Sequence, residues 1–248
     1  SGGYSTMPPT IDGKIQASEW GAAATATFGP FNFGDGQTIT GTLYMMNDGV
    51  NLYIAVSIEG DDDFSSEDGF EVYFDNDHGA EESMEEGDDI LSAQGASVFV
   101  DAYYHYYDET HGGSYWDVGT IDGQAAGSRQ GTSNQFELSH PLNSADDAHD
   151  FSLSAGQTVG FSLWTGVDNS YWCSLSGICP PYYSPSTYAN YVVASESVSP
   201  PATFGLELIV YGLIVVLVIL SVVLFMRRRK RLATPKPVAP ASHIIRQA

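Results

Sequence analysis

Hydrophobic and polar positions follow two different rules along this chain. Up to about residue 195, apolar side chains recur at every second position in short runs. Ile39, Gly41, Leu43 and Met45 alternate with polar neighbours, and Leu52, Ile54, Val56 and Ile58 repeat the pattern after Asn47-Asp48-Gly49. A period of two is that of a strand with one buried face, and Asn-Asp-Gly supplies the turn chemistry of a hairpin. Phe70, Val72 and Phe74 alternate in the same way, and residues 97–103, 136–142 and 159–164 predict further strands. Only residues 17–24 predict helix, of one turn or two. Many short strands joined by Gly- and Asp-rich turns predict a mostly-β antiparallel sandwich over residues 11–195, behind an irregular lead-in at 1–10.

The second rule holds at the far end. After a linker at 196–203, residues 204–226 are apolar apart from Glu207, and Arg227, Arg228, Arg229, Lys230 and Arg231 follow at once. Such a run, as a helix, reaches roughly 34 Å, enough to cross a bilayer core of about 30 Å. Cations that flank a span are retained on the cytoplasmic side. This predicts a single-pass protein of the cell membrane, with the N-terminal domain outside. Residues 227–248 then form a basic stop-transfer cluster and a Pro-containing disordered tail in the cytoplasm. The chain starts at Ser1 without an apolar leader, which suggests that a signal peptide has been removed.

Charge sharpens the division. Only Lys14 and Arg129 precede the span, against thirty of the 31 carboxylates, a formal charge of −28 on the outer part. Nucleic acid needs a basic footprint, so it is excluded as a partner. The acidity favours divalent cations, a high-salt or cation-rich surrounding, or a basic partner surface. Cys173 and Cys179, the two cysteines, lie six positions apart on a loop expected outside the cell, and are read as one disulfide. No Asn-x-Ser/Thr sequon is present.

The densest oxygen cluster runs through Asp75, Asn76 and Asp77 to Glu86, Asp88 and Asp89. Calcium takes six to eight oxygens, and closely spaced Asp and Asn side chains can converge on it. Asp75, Asp77 and Glu86 match the first, third and twelfth places of an EF-hand, but Gly79 and Ala80 break the fifth and sixth. The cluster also follows a strand, so it is read as a calcium loop of another kind. Asp61-Asp62-Asp63 is a lesser candidate. Sequence motifs for nucleophilic, zinc-dependent or phosphate-transfer catalysis are absent, and the chain is read as non-catalytic.

The order of several short motifs resembles carbohydrate-binding module family 9 and related DOMON-like sandwiches. These are Ile11-Asp12-Gly13 with Glu19-Trp20, then Asn47-Asp48-Gly49 with Asn51-Leu52-Tyr53-Ile54-Ala55-Val56, and Asp68-Gly69-Phe70-Glu71-Val72-Tyr73-Phe74-Asp75 with the following acidic loop. Gln135-Phe136-Glu137-Leu138 through Pro141-Leu142, and Gly156-Gln157-Thr158-Val159-Gly160-Phe161, complete the series. The resemblance spans nearly all of 11–195 and implies an exported β-sandwich, often with structural calcium. Its relatives bind sugars, haem or nothing known. Sugar binding calls for flat aromatic faces, and Trp116 and Trp172, with Tyr115 and Tyr171, are the candidates; Trp20 and Trp164 read as core. Haem would need Met45 or Met46 with Lys14 or one of His105, His111, His140 and His149. The leading expectation is an accessory or structural subunit of a membrane or cell-surface assembly, docked to a protein partner. A membrane-tethered glycan-binding module is the alternative, and a haem b electron carrier the third.

Overall fold

The computed structural model describes residues 2–32, 37–76, 78, 86–108, 113–144, 146, 150–167, 170–173 and 189–196. The 204–226 run, the tail after it, Asp77 and Cys179 lie outside these residues. Among the described residues, no helix is long and apolar enough to cross a membrane.

The elements in chain order are β1 (Gly3–Tyr4), α1 (Ala17–Trp20), β2 (Ala24–Asn32), β3 (Thr38–Asn47), β4 (Asn51–Glu59), β5 (Gly69–Asp75) and β6 (Asp89–Gln94). They continue with β7 (Val98–Asp108), β8 (Gly113–Asp117), β9 (Gln124–Gln130), β10 (Ser133–Pro141), β11 (Thr158–Val167), β12 (Ser170–Cys173) and β13 (Ala189–Val192). They form two sheets. The first has the order β1-β3-β4-β10-β9, with β2 also on β3; the second has the order β12-β11-β5-β6-β7-β8, with β13 also on β11. Every pairing is antiparallel except the two-residue β1 beside β3. The mostly-β, two-sheet expectation holds, although the lead-in contains β1.

The alternation in the sequence becomes the intersheet core. Leu52, Ile54, Val56 and Ile58 of β4 are fully buried and pack with Phe136 and Leu138 of β10 against Phe70, Val72, Phe74 and Leu91 of the second sheet. Each such side chain contributes about 1.5–3 kcal/mol when removed from water. The β3–β4 turn forms as predicted: Gly49 takes φ +89°, and Asp48 Oδ1 accepts from the amides of Val50 and Asn51, each at 2.8 Å.

The outer face of the first sheet is covered by the chain's own N-terminal segment. Trp20 packs there with Met46, Tyr53 and Ala55. Glu137 of β10 fastens this segment: its carboxylate accepts from the amides of Asp12 at 2.9 Å, Gly13 at 2.7 Å and Lys14 at 3.1 Å, and from Trp20 Nε1 at 2.7 Å. The Ile-Asp-Gly and Glu-Trp motifs therefore do structural work, and the order-level resemblance has a physical basis.

Candidate metal centre

A second polar knot lies three residues further along β10, on the opposite face. His140 is fully buried, and its Nε2 faces three carboxylates: Asp150 Oδ2 at 3.1 Å, Asp101 Oδ2 at 3.2 Å and Asp122 Oδ1 at 3.2 Å. One ligand atom from each of the four residues lies within 4.8 Å of all the others. Strand alternation explains His140 and Asp101. His140 pairs with Leu52 and follows Phe136 and Leu138 on the inward row, and Asp101 follows Phe99 on the inward row of β7. Asp122 comes from the connection before β9, and Asp150 from the segment after β10. Asp150 is oriented by the Phe151 amide, which donates to its Oδ1 at 2.9 Å. The Phe151 ring packs on the imidazole with centroids 4.8 Å apart.

The electrostatics of this knot are unbalanced. Asp101 and Asp150 are almost wholly buried, and Asp122 is about a quarter exposed (5%, 3% and 26%). Burial by itself would lower the His140 pKa, but the Asp101 and Asp150 carboxylates outweigh it and push it up to about 10. Burial raises Asp122. Neighbouring Asp89 is pushed up to about 8 by burial, with repulsion from Asp150 and Asp101 added; Asn76 and His140 oppose the shift. Among the described residues, Asp101 Oδ1, Asp89 Oδ1 and His140 Nδ1 are buried without a hydrogen-bond partner. The resident cations cannot help. Lys14 pairs with Asp12 at 3.3 Å, and Arg129 holds the Asp61 and Asp63 carbonyls and Asn134 Oδ1.

The predicted site residues distribute differently. Asp75 and Asp89 end and begin paired strands, since Phe74 sits opposite Asp89. Asn76 Nδ2 donates to Asp89 Oδ2 at 2.7 Å and to the Gly87 carbonyl, and its amide donates to Asp88 Oδ1 at 3.4 Å. Glu86 turns instead to His105 Nδ1, 2.6 Å away. The described members of the acidic loop thus tie two strands together without forming an oxygen cage. The lesser candidate does gather: Asp61, Asp62 and Asp63 each bring a carboxylate oxygen within 4.8 Å of the others, with Asp61 buried and its Oδ2 accepting from Asn134 Nδ2 at 2.7 Å. The haem candidates are occupied: Met45 is in the intersheet core and Met46 packs with Trp20 and Tyr53. His111 and His149 lie outside the described residues.

For the aromatic candidates, register is informative. Trp116 pairs with Tyr104 and Tyr115 with His105 on β8, whereas Tyr171 pairs with Gly166 and Trp172 with Thr165 on β12. The four therefore stand at alternating positions on the two ends of the second sheet; their side chains are outside the described portion. Cys173 closes β12, and its predicted partner Cys179 is not among the described residues. An aromatic pair that the sequence assigned elsewhere appears on this sheet. Trp164 and Tyr73 pack with centroids 5.3 Å apart at 46°, beside Ile90 and Ala102 and away from the main core. Tyr73 donates its hydroxyl to Glu71 Oε2 at 2.7 Å, and Gln94 Nε2 approaches Glu71 Oε1 at 3.4 Å.

No family model matches the chain, and no curated protein matches it. Solved structures do. A carbohydrate-binding module of family 9 from Caldicellulosiruptor kristjanssonii in complex with glucose has a TM-score of 0.52 at 14% identity, covering 79% of this chain and 98% of that one. A family 9 module from the same organism in complex with cellotriose has a TM-score of 0.52 at 13% identity, covering 79% and 95%. At this identity the likeness is one of fold: the chain carries a sandwich like that of the family 9 modules.

Proposed function

We propose that the sandwich is a non-catalytic carbohydrate-binding module, held at the outer surface of a membrane by the 204–226 run. The observation that carries this reading is the fold likeness to modules in complex with glucose and cellotriose, which extends over nearly their whole length. Trp164, half-buried against the buried Tyr73, supports it, because pyranose C–H groups pack on aromatic faces. Glu71 and Gln94 stand beside that pair as hydrogen-bonding groups for sugar hydroxyls. The accessory-subunit role, placed first on sequence grounds, draws no support from the comparisons and becomes second. The haem carrier draws none either.

Calorimetric titration with glucose, cello-oligosaccharides and a wider β-glycan panel tests the reading. Trp164→Ala should weaken cello-oligosaccharide binding by about tenfold, as losing one stacked aromatic of about 1.5 kcal/mol implies. Trp116→Ala and Trp172→Ala ask whether the two ends of the sheet extend the site. Absence of binding across the panel would sink the glycan reading. Purification from native membranes in mild detergent, with identification of stoichiometric partners, would then decide for the accessory role.

A further inference from the structure

We propose that Asp101, Asp122, His140 and Asp150 bind one divalent first-row transition-metal ion, of the zinc or manganese class, which clamps the two sheets together. The inference stands on geometry and charge and is independent of the glycan reading. Asp101 belongs to β7 of the second sheet and His140 to β10 of the first, while Asp122 and Asp150 come from the connections flanking β9 and β10. Their ligand atoms converge from four separate backbone segments on one buried point.

Charge favours a cation there. Three carboxylates face a single imidazole nitrogen, so with all three ionised even an imidazolium leaves two negative charges uncompensated. Uncompensated buried charge is strongly destabilising. Only two Lys or Arg side chains occur in residues 1–203, and both are engaged at other sites. Asp101 adds a separate sign. It is 95% buried, its Oδ2 shares the His140 nitrogen with two other carboxylates, and its Oδ1 has no hydrogen-bond partner among the described residues.

The donor set selects the kind of ion. Calcium and magnesium take oxygen, whereas imidazole suits zinc and the other transition metals. A zinc ion with bonds of about 2.0–2.1 Å separates its tetrahedral ligands by about 3.3 Å. The three distances from His140 Nε2 are 3.1, 3.2 and 3.2 Å. The acidic loop at Asp75–Asp89 has no comparable convergence among its described members.

The test uses the full chain. Protein purified without chelator is analysed for bound metal, then stripped and titrated with zinc, manganese and calcium while melting is followed. The expected result is about one equivalent of transition metal per chain. At a hundredfold excess over Kd, zinc or manganese should raise the melting temperature by roughly 5–10 °C, with a smaller rise for calcium. Asp122→Asn, at the most exposed ligand, should cost metal affinity about tenfold or more, since losing even an outer partner costs that much. Without metal it should melt no lower than the parent, because one repulsive charge has gone, which separates lost ligation from misfolding. Asp88→Asn in the acidic loop should leave zinc affinity unchanged. Preference for calcium, absence of any shift with all three ions, or unaltered zinc affinity in Asp122→Asn would overturn the proposal.

Discussion

Glu137 and His140 stand three residues apart on β10, both buried, both facing groups brought from distant parts of the chain, and they are opposite cases of polar burial. The Glu137 carboxylate accepts from four donors at 2.7–3.1 Å. One negative charge is spread over three amides and an indole, and the N-terminal segment is pinned to the outer sheet face. Around His140, three carboxylates confront one nitrogen, and among the described residues Asp101 Oδ1 stays buried without a partner. Donors that match acceptors make an internally complete joint. Acceptors in excess of donors make a joint that needs something from outside. Buried polar groups of nearly equal depth can therefore be scaffold in one case and site in the other, and the donor inventory distinguishes them.

Substitution at each site can break that contrast. Glu137→Ala leaves four donors without their acceptor, at about 1–3 kcal/mol for each that stays unsatisfied. A loss of at least about 3 kcal/mol in denaturant unfolding is expected, with or without metal; a loss under 1 kcal/mol would mean the N-terminal segment is held by packing alone. Asp101→Asn removes only the carboxylate's charge, at similar depth, and should act with the opposite sign. In stripped protein it should leave stability unchanged or raise it by about 1 kcal/mol, because like-charge repulsion falls. With zinc present, melting should drop below that of the parent. Equal loss in both states would make Asp101 another Glu137.

Glu71 tests an intermediate case. Burial raises its pKa above the usual 4.5, and hydrogen bonds from Tyr73 and Gln94 offset only part of that. A carboxyl with a raised folded-state pKa favours folding while protonated, and that contribution is lost as pH rises from about 4.5 through the raised value. Glu71→Gln should therefore flatten the fall in melting temperature over that window; an unchanged slope would remove Glu71 from the account. The smallest effect is expected at the half-exposed Lys14–Asp12 pair. Lys14→Ala should change stability by about 0.5 kcal/mol or less in the same unfolding assay, and a larger change would show that the N-terminal segment relies on its side chains as well as its amides.

Much of the fold was legible because it is local. The alternation at residues 39–45 and 52–58 and the Asn47-Asp48-Gly49 turn appear as β3, β4 and their hairpin, with the predicted faces inward. Strands such as β2 and β9 were missed because their inward positions are weakly hydrophobic: β2 turns Ala24 and Ala26 inward before Phe28 and shifts register after it, and β9 carries Gly and Ala where a strand would show branched side chains. Gly127 owes its place in β9 to a close approach, since a Cβ there would meet the Gly95 carbonyl at 2.2 Å.

The candidate metal centre was not legible as a motif. Its four residues are spread from 101 to 150 without ligand spacing, and His140 was weighed only as a haem ligand. A signal was present all the same: Asp101 and His140 occupy inward positions in otherwise apolar alternating rows, and a charged side chain at such a position demands a partner. Acid density along the chain is greatest at residues 75–89; it could not reveal the His140 cluster, because density counts neighbours along the chain while that cluster is made of neighbours in space.

The sequence by itself determined the strand pattern, the turn chemistry, the excess of carboxylates and the scarcity of cations over residues 1–203. Those follow from periodicity and composition, which are properties of a line. Only the tertiary structure decided which carboxylates meet. Glu137 turned outward to four waiting donors and His140 turned inward to three acids because their positions on one strand differ by an odd number, and the pairing of two sheets fixed what each would face.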